Sequence, residues 1–174
     1  MSVAVRRLEA GDEAALRAFL AALPAEDRTF IKEEADDPGV AAAWVADQRT
    51  VRGLAVEGAD VRGLAAVIPG VGWSSHVGEL RLVVDRSHRR LGVGRALAQW
   101  SVLQSIELGL RKLAVEVVAE QEAAEALFRN LGFEPEALLR DHIRDRDGNY
   151  RDLLVLSHHL DANWSGMATL GLGG

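Results

Sequence analysis

The chain is 174 residues long, 48% hydrophobic and 26% charged, with 20 basic against 26 acidic residues and a net charge of -6. That balance suits a globular protein with one sizeable core and excludes a wholly disordered chain. The absence of cysteine excludes disulfides, thiolate metal sites and a cysteine nucleophile, and the acidic charge argues against a general nucleic-acid partner.

The N-terminal residues Met1–Arg7 lack the apolar run of an export signal, and no stretch approaches the roughly 18 apolar residues of a membrane helix. A cytoplasmic location and no membrane partner are therefore expected.

In chain order, Val3–Leu8 alternates loosely as a first strand. Gly11-Asp12 offers a turn and cap before Leu16, Phe19, Leu20 and Leu23, whose helical spacing predicts a helix to about Pro24. Asp37-Pro38 reads as a cap with proline at the first helical position, which would turn Val40, Ala43 and Trp44 to the core. The acidic run Glu33–Asp37 before it reads as a solvated flank, or as an attractor for a cationic acceptor.

Gly53–Glu57 and Val61–Ile68 read as strands around a Gly58-Ala59-Asp60 turn, and Pro69–Gly72 breaks the second. Val77–Val84 is another strand. A helix is predicted over Val93–Leu108, with an apolar stripe of Val93, Leu97, Trp100, Leu103, Ile106 and Leu110, and with Gly109 as its cap. Lys112–Val118 is nearly all apolar, as in a strand covered on both faces. A further amphipathic helix carries Ala124, Leu127, Phe128 and Leu131 and closes at Gly132. Phe133–Arg144 and Tyr150–His158 flank Asp145–Asn149, where Asp-Gly signals a hairpin. Residues 1–160 form one mixed α/β domain on this reading, and 161–174 a flexible or loosely docked tail.

The segment richest in chemistry is Leu80–Leu97, which runs strand, basic glycine loop, helix start. Gly92 and Gly94 let backbone approach a ligand. Successive amides there can converge on an anion, with the positive end of a helix dipole behind them. Arg86, Arg89, Arg90 and Arg95 add positive charge in an acidic chain, so a phosphorylated ligand fits. Neither a P-loop nor a dinucleotide fingerprint matches, since no Gly-Lys-Ser/Thr follows and Leu97 stands where a third glycine is required. A strand–loop–helix corner with surface arginines is the plainer alternative.

Arg89-Arg90-Leu91-Gly92-Val93-Gly94 resembles the Arg/Gln-x-x-Gly-x-Gly/Ala signature of the GCN5-related N-acetyltransferases, the GNAT superfamily. Ala124–Phe133, containing Leu-Phe-x-x-Leu-Gly-Phe, is similar to that family's second hallmark, and the resemblance covers Val3 to His158. It implies a mixed, mostly antiparallel sheet flanked by helices, with splayed fourth and fifth strands. It also implies acetyl-CoA as co-substrate, no metal, and acyl transfer to a primary amine on a small molecule or a protein lysine. Dimers are common in the family, so a homodimer is an expectation by analogy.

Carried over residue by residue, the pantetheine arm would pair with backbone groups of Leu82, Val83 and Val84. The pyrophosphate would sit on the amides of Arg89, Arg90, Leu91, Gly92, Val93, Gly94 and Arg95. Val83 or Val84 would donate to the oxyanion. Glu79, at the start of the fourth strand, is the candidate base, and the other reading is a strand-end carboxylate paired with Arg81 or solvent. Glu116 is the second choice. His76 is a base candidate or an exposed loop residue, and Trp73 either lines the acceptor pocket or anchors its loop to the core. Gln121 stands where many relatives have an asparagine touching the cofactor. Phe128 replaces the tyrosine that usually protonates the departing thiolate, and reads as core or as a wall against the coenzyme. Tyr150 is a poor substitute at its hairpin.

That departure keeps a second class open, a non-catalytic acyl-CoA-binding or sensing module, and a third in which only the fold is kept. Asp145-x-Asp147-Gly148 lacks the ligand spacing of a calcium loop, and adjacent His158 and His159 point to opposite faces of a strand.

Overall fold

The structure, a computed structural model, describes residues 3–160 apart from Phe30 and Glu34. The tail expected over 161–174 lies outside the described residues. Seven strands form one sheet in the order β1-β2-β3-β4-β5-β7-β6. They are β1 Ala4–Arg7, β2 Val51–Glu57, β3 Asp60–Pro69, β4 Val77–Val84, β5 Lys112–Val118, β6 Glu134–Arg144 and β7 Tyr150–His159. β1 with β2, β2 with β3, β5 with β7 and β6 with β7 pair antiparallel, and β4 with β5 pairs in parallel. The helices are α1 Glu13–Ala22, α2 Ala25–Thr29, α3 Val40–Ala46, α4 Val93–Glu107 and α5 Glu122–Asn130. This is the mixed, mostly antiparallel architecture expected from the sequence. Among the described residues no helix is long and apolar enough to cross a membrane.

The chain divides into two compact units. One holds residues up to Ile68 with Arg81–Ser101, and the other holds Pro69–Leu80 with the chain from Val102 onward. In the first, Leu16, Phe19, Leu20 and Leu23 project from α1 and its end into a core with Ala41, Trp44, Leu54 and Leu64. Burying each large side chain there contributes about 1.5–3 kcal/mol. The first half of α4 lies close to β2 and β3 because glycines stand beneath it. A Cβ on Gly53 would fall 2.5 Å from the Trp100 ring, and one on Gly63 2.7 Å from Leu97.

Two expectations are corrected in this unit. Proline does not open α3: its N-cap is Gly39, and the Asp37 carboxylate instead takes the Gly39 amide at 2.7 Å. The helix consequently buries Ala41 and Trp44 and leaves Ala43 exposed. The acidic run is not merely solvated: Asp36 and Asp37 are exposed, yet the run is also ion-paired. Glu33 accepts from Arg81 at 2.7 Å and from Arg52 at 3.3 Å, and Asp36 accepts from Arg28 at 2.7 Å. The short helix α2 escapes the sequence reading altogether.

Arg52 is 5% exposed, stands 5.0 Å over the Trp44 ring, and also donates to Asp47 at 2.7 Å. Burial acts to raise the Asp47 carboxyl, but bonds from Arg52, Thr50 and the Arg49 amide outweigh it and hold the group far below its ordinary value. A depressed carboxylate adds stability above its unfolded pKa, near 3.9, and that stability is lost as pH falls toward the folded value. Asp47→Asn is expected to cost about 1–2 kcal/mol at pH 7, allowing for solvent screening of a carboxylate 32% exposed. Urea unfolding across pH should show the gap from wild type closing below pH ~4. A gap independent of pH would remove the charge from this role.

In the second unit, Phe128, Leu131 and Phe133 are buried with Leu113, Val115 and Leu156. The Phe128 and Phe133 rings meet edge-on at 5.4 Å, and Phe133 lies 5.4 Å from the His158 ring. The Phe133 amide bonds back to Phe128 O and the Gly132 amide to Arg129 O, which closes α5 where the sequence predicts. Asp145 Oδ1 accepts the amides of Asp147 and Asn149, so the segment is the expected hairpin turn. The buried line of α4 differs from the predicted stripe: it runs Val93, Leu97, Ala98, Ser101, Val102, and Ser105, and leaves Ile106 exposed. Ser101 fits because its hydroxyl bonds back to Leu97 O at 2.8 Å.

Candidate active site

The loop from β4 to α4 is built from the base upward. The Asp85 amide donates to Arg62 O at 2.9 Å, tying the loop to β3. The Asp85 carboxylate accepts the Ser87 amide and hydroxyl, each at 3.0 Å, and so caps a 3-10 turn over Arg86–His88. Burial acts to raise that carboxyl, yet these bonds and His88 leave it below its ordinary value. The His88 ring stands 3.1 Å from Asp85 and 3.7 Å from Glu57. The Arg89 amide turns back to Arg86 O at 3.4 Å.

Beyond this base the backbone becomes unusual. Arg90 has φ 64 and Gly92 φ 85, with Leu91 between them outside the left-handed region. For arginine that conformation costs about 1 kcal/mol, so surrounding structure must enforce it. Alternation of this kind makes a concave nest of amides. The first bond of α4 runs from the Ala96 amide to Gly92 O at 3.0 Å. The amides of Val93, Gly94 and Arg95 therefore precede the helical ladder at its positive end. No atom lies within 4 Å of where a Gly92 Cβ would stand. Among the described residues no carboxylate pairs with Arg90 or Arg95. The loop is thus a fit for a phosphorylated ligand. Arg86 and Arg89 behave differently: Arg86 meets Glu26 at 3.0 Å and Asp27 at 3.5 Å, and Arg89 meets Asp27 at 2.8 Å. The sequence gives no sign of these pairs because α2 is unrecognised there.

On β4, Leu82 and Val83 are half-buried and Val84 is buried. The parallel ladder joins Val77–Leu80 to Lys112–Val115, and β4 continues past it through Leu82, Val83 and Val84. Val83 packs against the α1–α3 core.

Glu79 is half-buried and pairs in register with Ala114, which pairs in turn with Ser157. Glu116 follows Ala114 by two residues, so the two candidate carboxylates share one face of the sheet on neighbouring strands. Glu116 is half-buried with its Oε2 inaccessible to solvent. Lys112 lies on the same face and pairs with Glu136; the bond from Lys112 holds the Glu136 carboxyl below its ordinary value.

The remaining candidates are placed as follows. Gln121 is exposed and is the N-cap of α5, but its side chain makes no capping bond. Phe128 is 3% exposed within the aromatic cluster. His76 is exposed, and its carbonyl accepts the amides of Arg111 and Lys112. Trp73 is 96% exposed, which corrects the expectation that it anchors its loop to the core. Tyr150 is 62% exposed at its hairpin.

Comparison with known proteins bears on the family and the fold. The profile of the acetyltransferase (GNAT) family matches residues 13–133. The chain belongs to that family. The [ribosomal protein bS18]-alanine N-acetyltransferase of Escherichia coli strain K12 is 32% identical over 76 residues, 44% of this chain and 51% of that protein. The chain thus spans about half the length of the curated relatives it matches. A ribosomal-protein-alanine N-acetyltransferase from Brucella melitensis superposes with TM-score 0.77 at 24% identity, over 90% of this chain and 99% of that one. A phosphinothricin acetyltransferase from Sinorhizobium meliloti, in complex with acetyl-CoA, superposes with TM-score 0.75 at 18% identity, over 92% of this chain and 89% of that one.

Proposed function

We propose that the chain transfers an acetyl group from acetyl-CoA to a primary amine by direct attack. The observation that carries this reading is the nest at the start of α4, with Arg90 and Gly92 left-handed and with Arg90 and Arg95 paired to no carboxylate among the described residues. Its amides, with Arg90 and Arg95, would hold the diphosphate. Backbone groups of Leu82–Val84 would pair with the pantetheine arm. When bound, the coenzyme supplies an activated thioester. Glu79 takes a proton from the amine, directly or through water, because an alkyl ammonium with pKa near 10.4 cannot attack while protonated. The amide of Val83 or Val84 donates to the oxyanion. The C–N bond forms and the C–S bond breaks; the second proton of the attacking nitrogen passes through water to the departing thiolate, and Glu79 returns its proton to solvent.

Thermal stabilisation by coenzyme A and thiol release over an amine panel test this reading. The panel includes a peptide with N-terminal alanine, a lysine peptide and spermidine. The first is motivated by the Escherichia coli relative, whose name specifies alanine. Stabilisation with turnover supports the enzyme. Stabilisation with no turnover across the panel supports the sensing module, which the buried, protonless Phe128 favours. Absence of stabilisation defeats both.

Phe128→Tyr probes the missing acid. A hydroxyl in the Phe128–Phe133 cluster is expected to cost about 1–3 kcal/mol if unpaired. Because water can protonate the thiolate, kcat should stay within about twofold of wild type; a gain near 100-fold would show that acid catalysis limits the rate. Thermal melts and steady-state kinetics read the two effects.

A further inference from the structure

Arg86 and Arg89 belong to the loop assigned to the coenzyme, yet both are already engaged. Asp27 is the centre of that engagement. Its side chain is 10% exposed, its Oδ2 is shut off from solvent, and it meets Arg89 at 2.8 Å and Arg86 at 3.5 Å. Glu26 beside it is 80% exposed and takes Arg86 at 3.0 Å. The two guanidinium side chains remain 54% and 44% exposed, so their heads can re-aim without disturbing a core. Their partners lie on α2, a helix of five residues.

We propose that Asp27, assisted by Glu26, sets the coenzyme affinity of this chain by holding Arg86 and Arg89 in competition with the coenzyme's phosphate groups. This rests on the coenzyme reading of the loop. The Arg86–Glu26 pair is open to solvent, weak and screened, whereas Asp27, its carboxylate nearly closed off, is the firmer hold on Arg89. A ligand with several phosphate charges accepts charge-assisted bonds from the same guanidiniums and displaces them. Binding then leaves the α2 carboxylates without their cations, and the helix loosens from the loop.

Calorimetric titration with coenzyme A tests the competition. Asp27→Asn is expected to bind about three- to tenfold more tightly than wild type, and Glu26→Gln about twofold or less, in keeping with its exposure. Asp27→Glu, which keeps the charge, should return affinity toward wild type. Amide exchange over Ala25–Thr29 should rise when coenzyme A is added to wild type, and should already be high in Asp27→Asn without it. Unchanged or weaker binding by Asp27→Asn would overturn the proposal and leave Asp27 as a residue that merely orients Arg89. So would slower exchange of α2 on adding the coenzyme. If wild type binds no coenzyme A, the coenzyme reading itself fails; if wild type binds and only the variant result is wrong, the competition alone fails.

Discussion

Gly92→Asp is expected to weaken coenzyme A binding by at least about 100-fold, or ~2.7 kcal/mol. Two separable effects contribute. At φ 85 any side chain is strained, which costs about 1–2 kcal/mol, although space for a Cβ is open. The carboxylate adds repulsion: about 3 kcal/mol per phosphate charge at ~5 Å, for an effective dielectric near 20. Gly92→Ala carries the strain without the charge, so it should weaken binding by less than about tenfold. Both variants should lose a similar ~2–8 °C in Tm, since both bear the same backbone cost. Isothermal titration beside thermal melts separates the effects. Equal loss of affinity in the two variants would mean that loop shape, not anion recognition, is what the glycine provides, and unaltered affinity in both would remove the loop from the coenzyme site.

Much of this site was legible because it is local in sequence. The glycine spacing at Gly92-x-Gly94, the arginines around it and the helix that follows are contiguous, and the backbone of such a loop is dictated by nearest neighbours. The same holds for Gly132 after α5 and for the Asp145 turn, where one side chain bonds amides two and four residues ahead. What stayed hidden is long-range or polar. Arg81 and Glu33 are separated by 48 residues, and Arg86 and Glu26 by 60; hydrophobic periodicity carries no information about either pair. Short α2 has too few residues to show a period. On α4, Ser101 and Ser105 sit in the buried line because small side chains fit where helix meets sheet, and a stripe drawn through large apolar residues passes them by. The shared sheet face of Glu79 and Glu116 depends on the β4–β5 register, which only the fold supplies.

That shared face makes Glu79→Gln the second decisive variant. The substitution keeps shape and removes only the ability to take a proton. At pH 7 it should lower kcat/KM for the amine about 100- to 10,000-fold, the usual range for a positioned general base. Coenzyme A affinity should be unchanged, since Glu79 is assigned no coenzyme contact. The deficit should shrink as pH rises toward the amine's own pKa near 10.4, because solvent then does the deprotonation. Glu116→Gln is the internal comparison. Glu116 stands on the same face one strand away, two residues beyond the Ala114 that pairs with Glu79. If Glu79 is the base, Glu116→Gln keeps the wild-type shape of the pH–rate profile. A deficit of Glu79→Gln that persists at high pH would assign Glu79 to positioning rather than proton transfer. A pH-dependent deficit in Glu116→Gln with none in Glu79→Gln would move the base one strand over, to β5.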